Sequence, residues 1–297
     1  MPAIAVLIPA RNAETTIGET LESLAAQSHK GFEVLIVDDA STDGTLDVVR
    51  RFGSRLDLRV LPLAQNAGVA AALNQGLAQI DNAYVCRLDA DDIALPTRLE
   101  KQYGYLESHP DIDVCSTWME MFYPAQDGRA SQVLAKPEAD AAIKTALIQY
   151  CALSHPACMI RKSFFDDVGV FDTGLDFAED YDLWCRGALL GKRYANLPEV
   201  LTRYRQHAHQ VGQQKRQLQY ERDLQVKRKY LSALLGGESP AYLPEFFHLL
   251  TAFTSKEIAI QVIEQSMPLI LRLGRVVGDD RLYGEIVSQC IGRHLRN

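Results

Sequence analysis

Short apolar and β-branched runs alternate with segments of helical spacing through the first third of the chain, and this alternation constrains the fold more than any other feature. The first helical segment places Ile17, Leu21 and Leu24 at i, i+4 and i+7. Strand–helix–strand alternation requires parallel strands with right-handed crossovers, and therefore predicts an α/β layer fold. The predicted strands are Ile4–Pro9, Phe32–Asp38, Leu58–Leu63 and Tyr84–Leu88.

Polar motifs follow three of these strands at the point where each strand ends. They are PARN (Pro9–Asn12), DDAS (Asp38–Ser41) and DADD (Asp89–Asp92). In open α/β sheets, ligands bind outside the carboxyl ends of the strands. We therefore expect a binding site where these three motifs meet.

The DADD motif places three carboxylates within four residues. Two ionised acids about 5 Å apart repel by roughly 3 kcal/mol at an effective dielectric of about 20, so the acids either spread into water or hold a cation. Asp89 and Asp91 suit Mg²⁺ or Mn²⁺ bridging phosphates, while Asp38 or Asp39 can accept hydrogen bonds from a base or ribose. The open alternative makes Asp92 a helix N-cap, Asp89 a turn residue and DDAS ordinary turn chemistry.

Missing motifs, net charge and cysteine spacing argue against several functional classes. Neither GxGxxG nor GxxxxGK[ST] occurs, which argues against nicotinamide enzymes and P-loop NTPases. The net charge of −7 argues against a nucleic-acid partner. The 297 residues, 47% of them hydrophobic, suit one large domain or a domain with an appendage. The 6 cysteines form no CxxC pair and suit a reducing cytoplasm, and we expect neither a signal peptide nor a transmembrane segment.

The second half of the chain follows a different pattern. After a predicted strand at Val114–Phe122, we expect a helix near Glu138–Gln149, another helix from Glu179, and an extended run at YANLPEVLTRYR. Beyond a boundary that we predict near Val211, the composition is typical of long helices, interrupted at Gly236–Pro244.

Five motifs, in their order and spacing, resemble the inverting family 2 glycosyltransferases with a GT-A fold: VLIPARN, VDDASTDGT, NAGVAAALNQGL, RLDADD and AEDYDLWCR. The resemblance covers roughly Ile4 to His209. It implies a mixed, mainly parallel sheet flanked by helices, with a C-terminal helical extension. The glycosyltransferase domain would span 1–211, with a nucleotide-binding half at 1–110 and an acceptor-binding half at 111–211, and the extension would span 212–297.

The same resemblance implies a set of residues that bind a nucleotide-sugar donor. These residues are Pro9, Ala10, Arg11, Asp38, Asp39, Asn66, Gly68, Arg87, Asp89 and Asp91. Asp91 is the implied metal ligand, with Asp89 near the ribose. Family members often have an aromatic residue where Arg11 stands and an arginine where Leu73 stands. Arg87 lies on the same strand face as Asp89 and is placed to supply the missing phosphate contact.

Glu179 and Asp180 open a predicted helix, where the helix dipole favours a charged carboxylate. Asp180 shares a helix face with Leu183 and Trp184, and a base held ionised beside an apolar wall suits proton removal from a sugar hydroxyl. The resemblance makes Asp180 that catalytic base. The open alternative is that both acids only start the helix.

The residues implied to surround the acceptor and the diphosphate are His155, Glu179, Trp184 and Arg205. His155 resembles a family histidine at this place, although a lone histidine beside a proline is more often structural. In RYRQHAHQ, His207 matches a third metal ligand or a phosphate contact in a loop that closes over the diphosphate. The alternative is a solvated polar loop.

The segment QKRQLQYERDLQVKRKYLSALL mixes basic residues with leucines at 218, 224, 231 and 234. A basic amphipathic surface of this kind can meet anionic lipid. Packing of the helix on its own domain explains the same pattern, and we favour packing.

These motifs together predict an inverting, metal-dependent hexosyl- or N-acetylhexosaminyltransferase. It would use a nucleoside-diphosphate sugar, with a UDP-sugar expected, and Mn²⁺ or Mg²⁺. Its acceptor would be a glycan or lipid-linked glycan in surface polysaccharide or lipopolysaccharide biosynthesis. Its location would be the cytoplasm, and whether the C-terminal helices also contact the inner face of the membrane stays open. Two other classes stay open: a metal-dependent nucleotidyl or phosphoryl transferase, and a non-catalytic carbohydrate-binding protein.

Overall fold

A mixed sheet organises the chain in a computed structural model that describes residues 3–124, 127–206, 216–237, 267–276 and 284. Its strands are β1 (Ile4–Ala10), β2 (Phe32–Asp38), β3 (Leu58–Pro62), β4 (Tyr84–Arg87), β5 (Ile93–Ala94), β6 (Val114–Phe122), β7 (Gln132–Leu134), β8 (Met159–Arg161) and β9 (Tyr194–Arg205). They lie in the order β3-β2-β1-β4-β8-β6-β9-β5, and β7 pairs with β6.

The first four strands form the parallel half of this sheet, as predicted. Each predicted strand agrees with the observed one to within one residue at either end. The register pairs Ala10 with Asp38, so that β1 and β2 end level with each other. This common edge brings PARN and DDAS together.

The second half of the chain adds strands of both directions. β8 runs antiparallel to β4 and β6, whereas β9 runs parallel to β6. β5, which follows the DADD motif directly, pairs antiparallel with β9 through Ile93 with Arg203 and Ala94 with Thr202. This pairing places the end of β9 beside the DADD motif.

Helices cover both faces of the sheet. They are α1 (Ile17–Ala25), α2 (Thr45–Arg50), α3 (Val69–Leu77), α4 (Arg98–Ser108), α5 (Asp140–Ala146), α6 (Lys162–Val168), α7 (Glu179–Leu189), α8 (Arg216–Leu234) and α9 (267–276), with a 3₁₀ turn at His155–Ala157. Leu7 of β1 packs in the core that α3 and α7 share, and Ile8 packs on the opposite face with α1 and α4. α3 approaches closely at Gly76, where a Cβ atom would lie 2.4 Å from the Leu7 side chain.

The helix α8 packs on the same core as the rest of the chain. Val226, Tyr230, Leu231 and Leu235 are buried in the cluster that also contains Trp184. The packing therefore supports the favoured interpretation of the leucine pattern, in which the helix packs on its own domain. Among the described helices, none combines the length and the apolar character that crossing a membrane requires.

Candidate active site

Asp39 ties the end of β2 to the loop before α3. Its Oδ1 accepts a hydrogen bond from the Ala67 N–H at 2.6 Å, and its Oδ2 accepts one from the Gly68 N–H at 3.1 Å. Gly68 has a φ of +86°, a conformation that suits glycine. The structure thus brings together Asp39, Asn66 and Gly68, three of the residues that the family resemblance assigns to donor binding, and Asn66 is exposed there.

The loops after β1 and β2 support each other. The Ala10 carbonyl accepts the Asp39 N–H at 2.8 Å, and the Asn12 side chain accepts the Thr42 N–H at 2.9 Å. Pro9 and Ala10 end β1, with Ala10 buried, and Arg11 is exposed next to them.

The turn interpretation is correct for Asp38 of DDAS, and Asp43, two residues after this motif, behaves in the same way. Asp38 Oδ2 accepts the Ser41 N–H at 3.3 Å, and Asp43 Oδ1 accepts the Thr45 N–H at 3.0 Å where α2 begins. Within the described residues, Asp38 Oδ1 is buried and has no protein partner. Asp39 differs from both because it reaches across to another loop.

The DADD turn (Asp89–Asp92) brings three carboxylates into one cluster, with one oxygen from each of Asp89, Asp91 and Asp92 within 4.8 Å of the others. Thr16 and Thr20 of α1 each donate to the Ala90 carbonyl at 3.1 Å and hold the turn in place. The side chains therefore converge on one point instead of spreading into water.

Asp92 is the acid whose role the sequence did not identify. The alternative that it caps a helix is wrong, because α4 begins at Arg98 and Asp92 instead accepts the Arg205 N–H at 3.0 Å. Burial, reinforced by Asp89 and Asp91, raises the pKa of Asp92 well above its ordinary value. Its Oδ2 is buried without a partner among the described residues. Three convergent carboxylates with an unpaired buried oxygen fit a hard divalent cation.

Arg205 is engaged with the DADD turn. Its Nε donates to the Asp91 carbonyl at 2.8 Å, and its Nη2 pairs with Glu19 at 2.6 Å. Arg205 thus holds the DADD turn in place, and its predicted contact with the acceptor or the diphosphate stays a prediction. The other predicted group of this loop, His207, lies outside the described residues.

Glu179 and Asp180, here called the α7 pair, open helix α7 as predicted. Asp180 Oδ1 accepts the Tyr181 N–H at 2.7 Å, and its Oδ2 accepts the Cys151 thiol at 3.5 Å. Within the described residues, Glu179 Oε2 is buried without a partner. Phe177, just before the helix, has a φ of +73°, an unusual conformation for a bulky residue.

The electrostatics of the α7 pair differ from the sequence expectation. Burial, with Asp180 adding to it, raises the pKa of Glu179 to about 8, and burial also raises the pKa of Asp180. Arg87 acts in the opposite direction on both acids. The expectation that the helix start alone keeps the carboxylates ionised is therefore wrong, because desolvation outweighs the dipole and the pair retains a proton at neutral pH.

Trp184 does not form the predicted acceptor wall. Its side chain is 0% exposed, and its ring packs against those of Phe164 and Tyr194 inside the core. Leu183 is equally buried. The helical spacing places Trp184 one turn after Asp180, but the face they share is covered by the protein itself.

His155 begins the 3₁₀ turn and is buried. It is 7% exposed, with its ring 5.1 Å from that of Phe171 and 6.0 Å from that of Trp184. Burial, with Arg87 adding to it, holds the pKa of His155 well below its ordinary value. The ring is therefore neutral at neutral pH, and its aromatic packing matches the structural interpretation.

Leu73 stands where family members often have an arginine, and Arg87 is the residue predicted to compensate. Leu73 is fully buried in α3, so its position offers no phosphate contact. Arg87 is also buried, and its Nη2 donates to Asp89 Oδ1 at 2.6 Å. Arg87 is thus paired with an acid of the DADD turn, and its contact with a phosphate stays a prediction.

Two residues near the α7 pair, Cys151 and Asp223, are not indicated as site residues by any sequence pattern. Cys151 belongs to the loop before the 3₁₀ turn, and Asp223 belongs to α8. Burial raises the pKa of Asp223 to about 6, while Lys227 lowers it and Asp180 raises it. Cys151 and Asp223 come close to the α7 pair because segments that are distant along the chain pack together. No local sequence pattern specifies that packing.

Comparisons with known proteins agree with this geometry. A sequence model described as Glycosyl transferase family 2 matches residues 5–169, more than half of the chain. The amylovoran biosynthesis glycosyltransferase AmsE of Erwinia amylovora is 31% identical over 235 residues, which cover 78% of this chain and 87% of AmsE.

Two solved structures share the fold and confirm the predicted fold class. S. aureus TarS 1-349 in complex with UDP-GlcNAc superposes with a TM-score of 0.65 at 21% identity, covering 99% of this chain and 88% of that one. The mannosyltransferase PcManGT from Pyrobaculum calidifontis, in complex with GDP-Man and Mn²⁺, gives a TM-score of 0.60 at 17% identity, covering 100% and 87%.

Proposed function

The chain belongs to Glycosyl transferase family 2 and is a glycosyltransferase, and from this premise we propose an inverting, metal-dependent transfer of a sugar from a UDP-sugar to a glycan hydroxyl. The observation that carries the proposal is a pair of acidic centres with different surroundings. The DADD turn holds three convergent carboxylates, whereas the α7 pair combines buried Glu179, whose pKa is raised by burial to about 8, with half-buried Asp180. Arg87 acts electrostatically on both.

The DADD turn is the proposed donor centre. Asp91 would hold Mn²⁺ or Mg²⁺, with His207 as a further ligand, and Asp39 with residues 66–68 would bind the base and ribose. A bound divalent ion would stabilise the negative charge on the departing diphosphate. Arg205 keeps the turn in position through its bonds to Asp91 and Asp92.

Asp180 is the proposed catalytic base. Its carboxylate would accept the proton of the attacking acceptor hydroxyl, while Glu179, protonated at neutral pH, can donate a hydrogen bond. A base on α7 and a donor centre on a strand end can address opposite sides of the anomeric carbon. A single displacement with inversion requires that arrangement.

The names of two similar proteins support a proposal for the substrate class. TarS binds UDP-GlcNAc, and AmsE acts in amylovoran biosynthesis. By analogy we propose a UDP-hexose or UDP-N-acetylhexosamine as donor and a growing surface glycan, free or lipid-linked, as acceptor. The reaction is proposed to take place in the cytoplasm at the inner face of the membrane.

Peripheral membrane contact is a separate part of the proposal. Arg228 and Lys229 of α8 are exposed and are the basic groups that would meet anionic lipid. Flotation with anionic liposomes should show binding at low salt that weakens at high salt, because salt screens the attraction. Absence of flotation at low salt would contradict membrane contact.

The function is tested by incubating the purified protein with a panel of nucleotide sugars and Mn²⁺ and measuring the nucleoside diphosphate released. One UDP-sugar should give release that stops when the metal is chelated. Release of pyrophosphate instead would indicate a nucleotidyl transferase. Binding of a sugar without any release, with acceptors supplied, would indicate a carbohydrate-binding protein.

A further inference from the structure

Arg87 is a buried cation at the end of a central strand. The alternation of β4 places Val85 in the core on the α7 side of the sheet and Cys86 in the opposite core. Arg87, the last residue of β4, therefore points to the side on which α7 packs. A guanidinium that is 3% exposed is costly to bury unless acidic groups and hydrogen-bond acceptors surround it.

The hydrogen bonds of Arg87 use only part of the guanidinium. Nη2 donates to Asp89 Oδ1 at 2.6 Å. Nε and Nη1 are buried, and neither has a hydrogen-bond partner in the described part of the chain. Glu179 Oε2 and His155 Nε2 are likewise buried and unpartnered. Unsatisfied donors and acceptors thus occur together on the α7 side of the sheet.

The charge of Arg87 acts on both acidic centres. It acts on Asp92 in the DADD turn and on Glu179 and Asp180 in the α7 pair. It also acts on the buried His155 ring, whose pKa it lowers together with burial. A single guanidinium therefore lies within electrostatic reach of the proposed donor centre and the proposed base.

We propose that Arg87 is a positioning residue that links the two acidic centres, holding Asp89 through Nη2 and stabilising the negative charge of the α7 pair with the remainder of its guanidinium. The inference rests on the proposed function, because the roles of the two centres in donor binding and proton transfer are taken from it. The link itself is a property of the folded protein and can be tested without substrate.

Several other groups also act on the α7 pair. Those that bear on Asp180 are Cys151, Cys158, Cys185 and, from α8, Asp223. These thiols and this carboxyl carry either no charge or a negative charge, so none of them can replace Arg87. Loss of its positive charge should leave the pair harder to ionise.

The test compares Arg87→Met and Arg87→Lys with the wild type by ¹³C NMR titration of side-chain carboxyls, assigned with Glu179→Gln and Asp180→Asn. Arg87→Met keeps an unbranched apolar stem close in length to that of arginine while removing the guanidinium and its charge. It should move the upper titration midpoint of the pair upward by about one pH unit, and Arg87→Lys should recover most of that shift. The matched control is Arg161→Met, since Arg161 pairs with Tyr84 at the other end of β4, and it should leave the midpoint unchanged.

Midpoints that are equal in the wild type and Arg87→Met would overturn the proposal, as would an equal shift in Arg161→Met. If Arg87→Met does not fold, Arg87→Gln takes its place, because it also removes the charge while keeping hydrogen-bond donors: a midpoint raised by about one pH unit supports the link, and an unchanged midpoint contradicts it. A second readout is the Mn²⁺-dependent affinity for UDP, which should fall about 5- to 10-fold in Arg87→Met as Asp89 loses its partner. If the wild type releases no nucleoside diphosphate, the proposed function fails, but the titration still decides the link.

Discussion

The DADD turn and the α7 pair are both built from aspartate and glutamate, yet they hold these acids in opposite ways. In the DADD turn, Asp89 is 31% exposed and paired with Arg87, and the turn is held by side chains from α1 and β9. In the α7 pair, both acids are desolvated, and burial raises the pKa of each. The comparison teaches that one functional group can serve cation binding or proton transfer, depending on solvent exposure and neighbouring charge.

The largest expected effect concerns the support that α8 gives to α7. Removing every residue after Val211 would expose the core that Val226, Tyr230, Leu231 and Leu235 cover. Each of these side chains contributes roughly 1.5–3 kcal/mol, which together approaches the stability of a typical domain. We expect the truncated chain to aggregate, as judged by size-exclusion chromatography and circular dichroism.

A matched pair of single variants tests the same support. Leu231→Asp should unfold the protein at a much lower temperature, whereas Tyr220→Asp, at an exposed position on the same helix, should not. A folded 1–211 fragment that releases nucleoside diphosphate at the full-length rate would contradict this account. It would make the predicted boundary near Val211 that of an independent domain.

The DADD turn is tested by Asp91→Asn, which removes one charge at nearly constant shape. The Mn²⁺-dependent affinity for UDP should fall roughly 10- to 100-fold, because a ligand to the cation is weakened. Calorimetry with and without Mn²⁺ measures the change, with Asp47→Asn, at an exposed ion pair on α2, as control. Equal affinities in Asp91→Asn and the wild type would remove Asp91 from the metal site.

The pH dependence should separate the two centres. As pH falls, the α7 pair takes up one proton near pH 8 and a second at a pH that still lies above the ordinary range of an aspartyl group. Sugar transfer should persist through the first step and fall about tenfold per pH unit below the second, because the base is then protonated. A transfer rate that stays flat from pH 9 down to the ordinary range of an aspartyl group would contradict the raised pKa values of the pair.

The smallest effect concerns Asp223. Because burial raises its pKa to about 6 in the folded state, the folded protein binds this proton more tightly than the unfolded chain, and stability is lost as pH rises from about 4 through 6. Asp223→Asn should therefore stabilise the protein at pH 8, by at most about 3 kcal/mol, and leave it unchanged below pH 4. Urea titrations at both pH values measure this, with Glu221→Gln on an exposed part of α8 as control. Destabilisation by Asp223→Asn at pH 8 would reverse the sign and disprove the account.

The DADD turn was largely predictable from the sequence because its acids are neighbours in the chain and follow a strand with a clear local pattern. The surroundings of the α7 pair were not, because Cys151 and Asp223 reach it from elements whose approach depends on the packing of the whole core. Trp184 illustrates the limit. Helical spacing gives the face that it shares with Asp180, but only the tertiary structure shows that this face is covered.

Asp180→Asn tests the central claim that the α7 pair transfers the proton while the DADD turn binds the donor. On one preparation, the rate of sugar transfer and the Mn²⁺-dependent affinity for UDP are measured side by side. We predict a transfer rate lower by about 10²–10⁴-fold with nearly unchanged affinity, the range usual for a positioned proton acceptor. A variant that transfers at the wild-type rate would contradict the claim, and one that loses affinity in proportion to activity would place Asp180 in the binding of the donor.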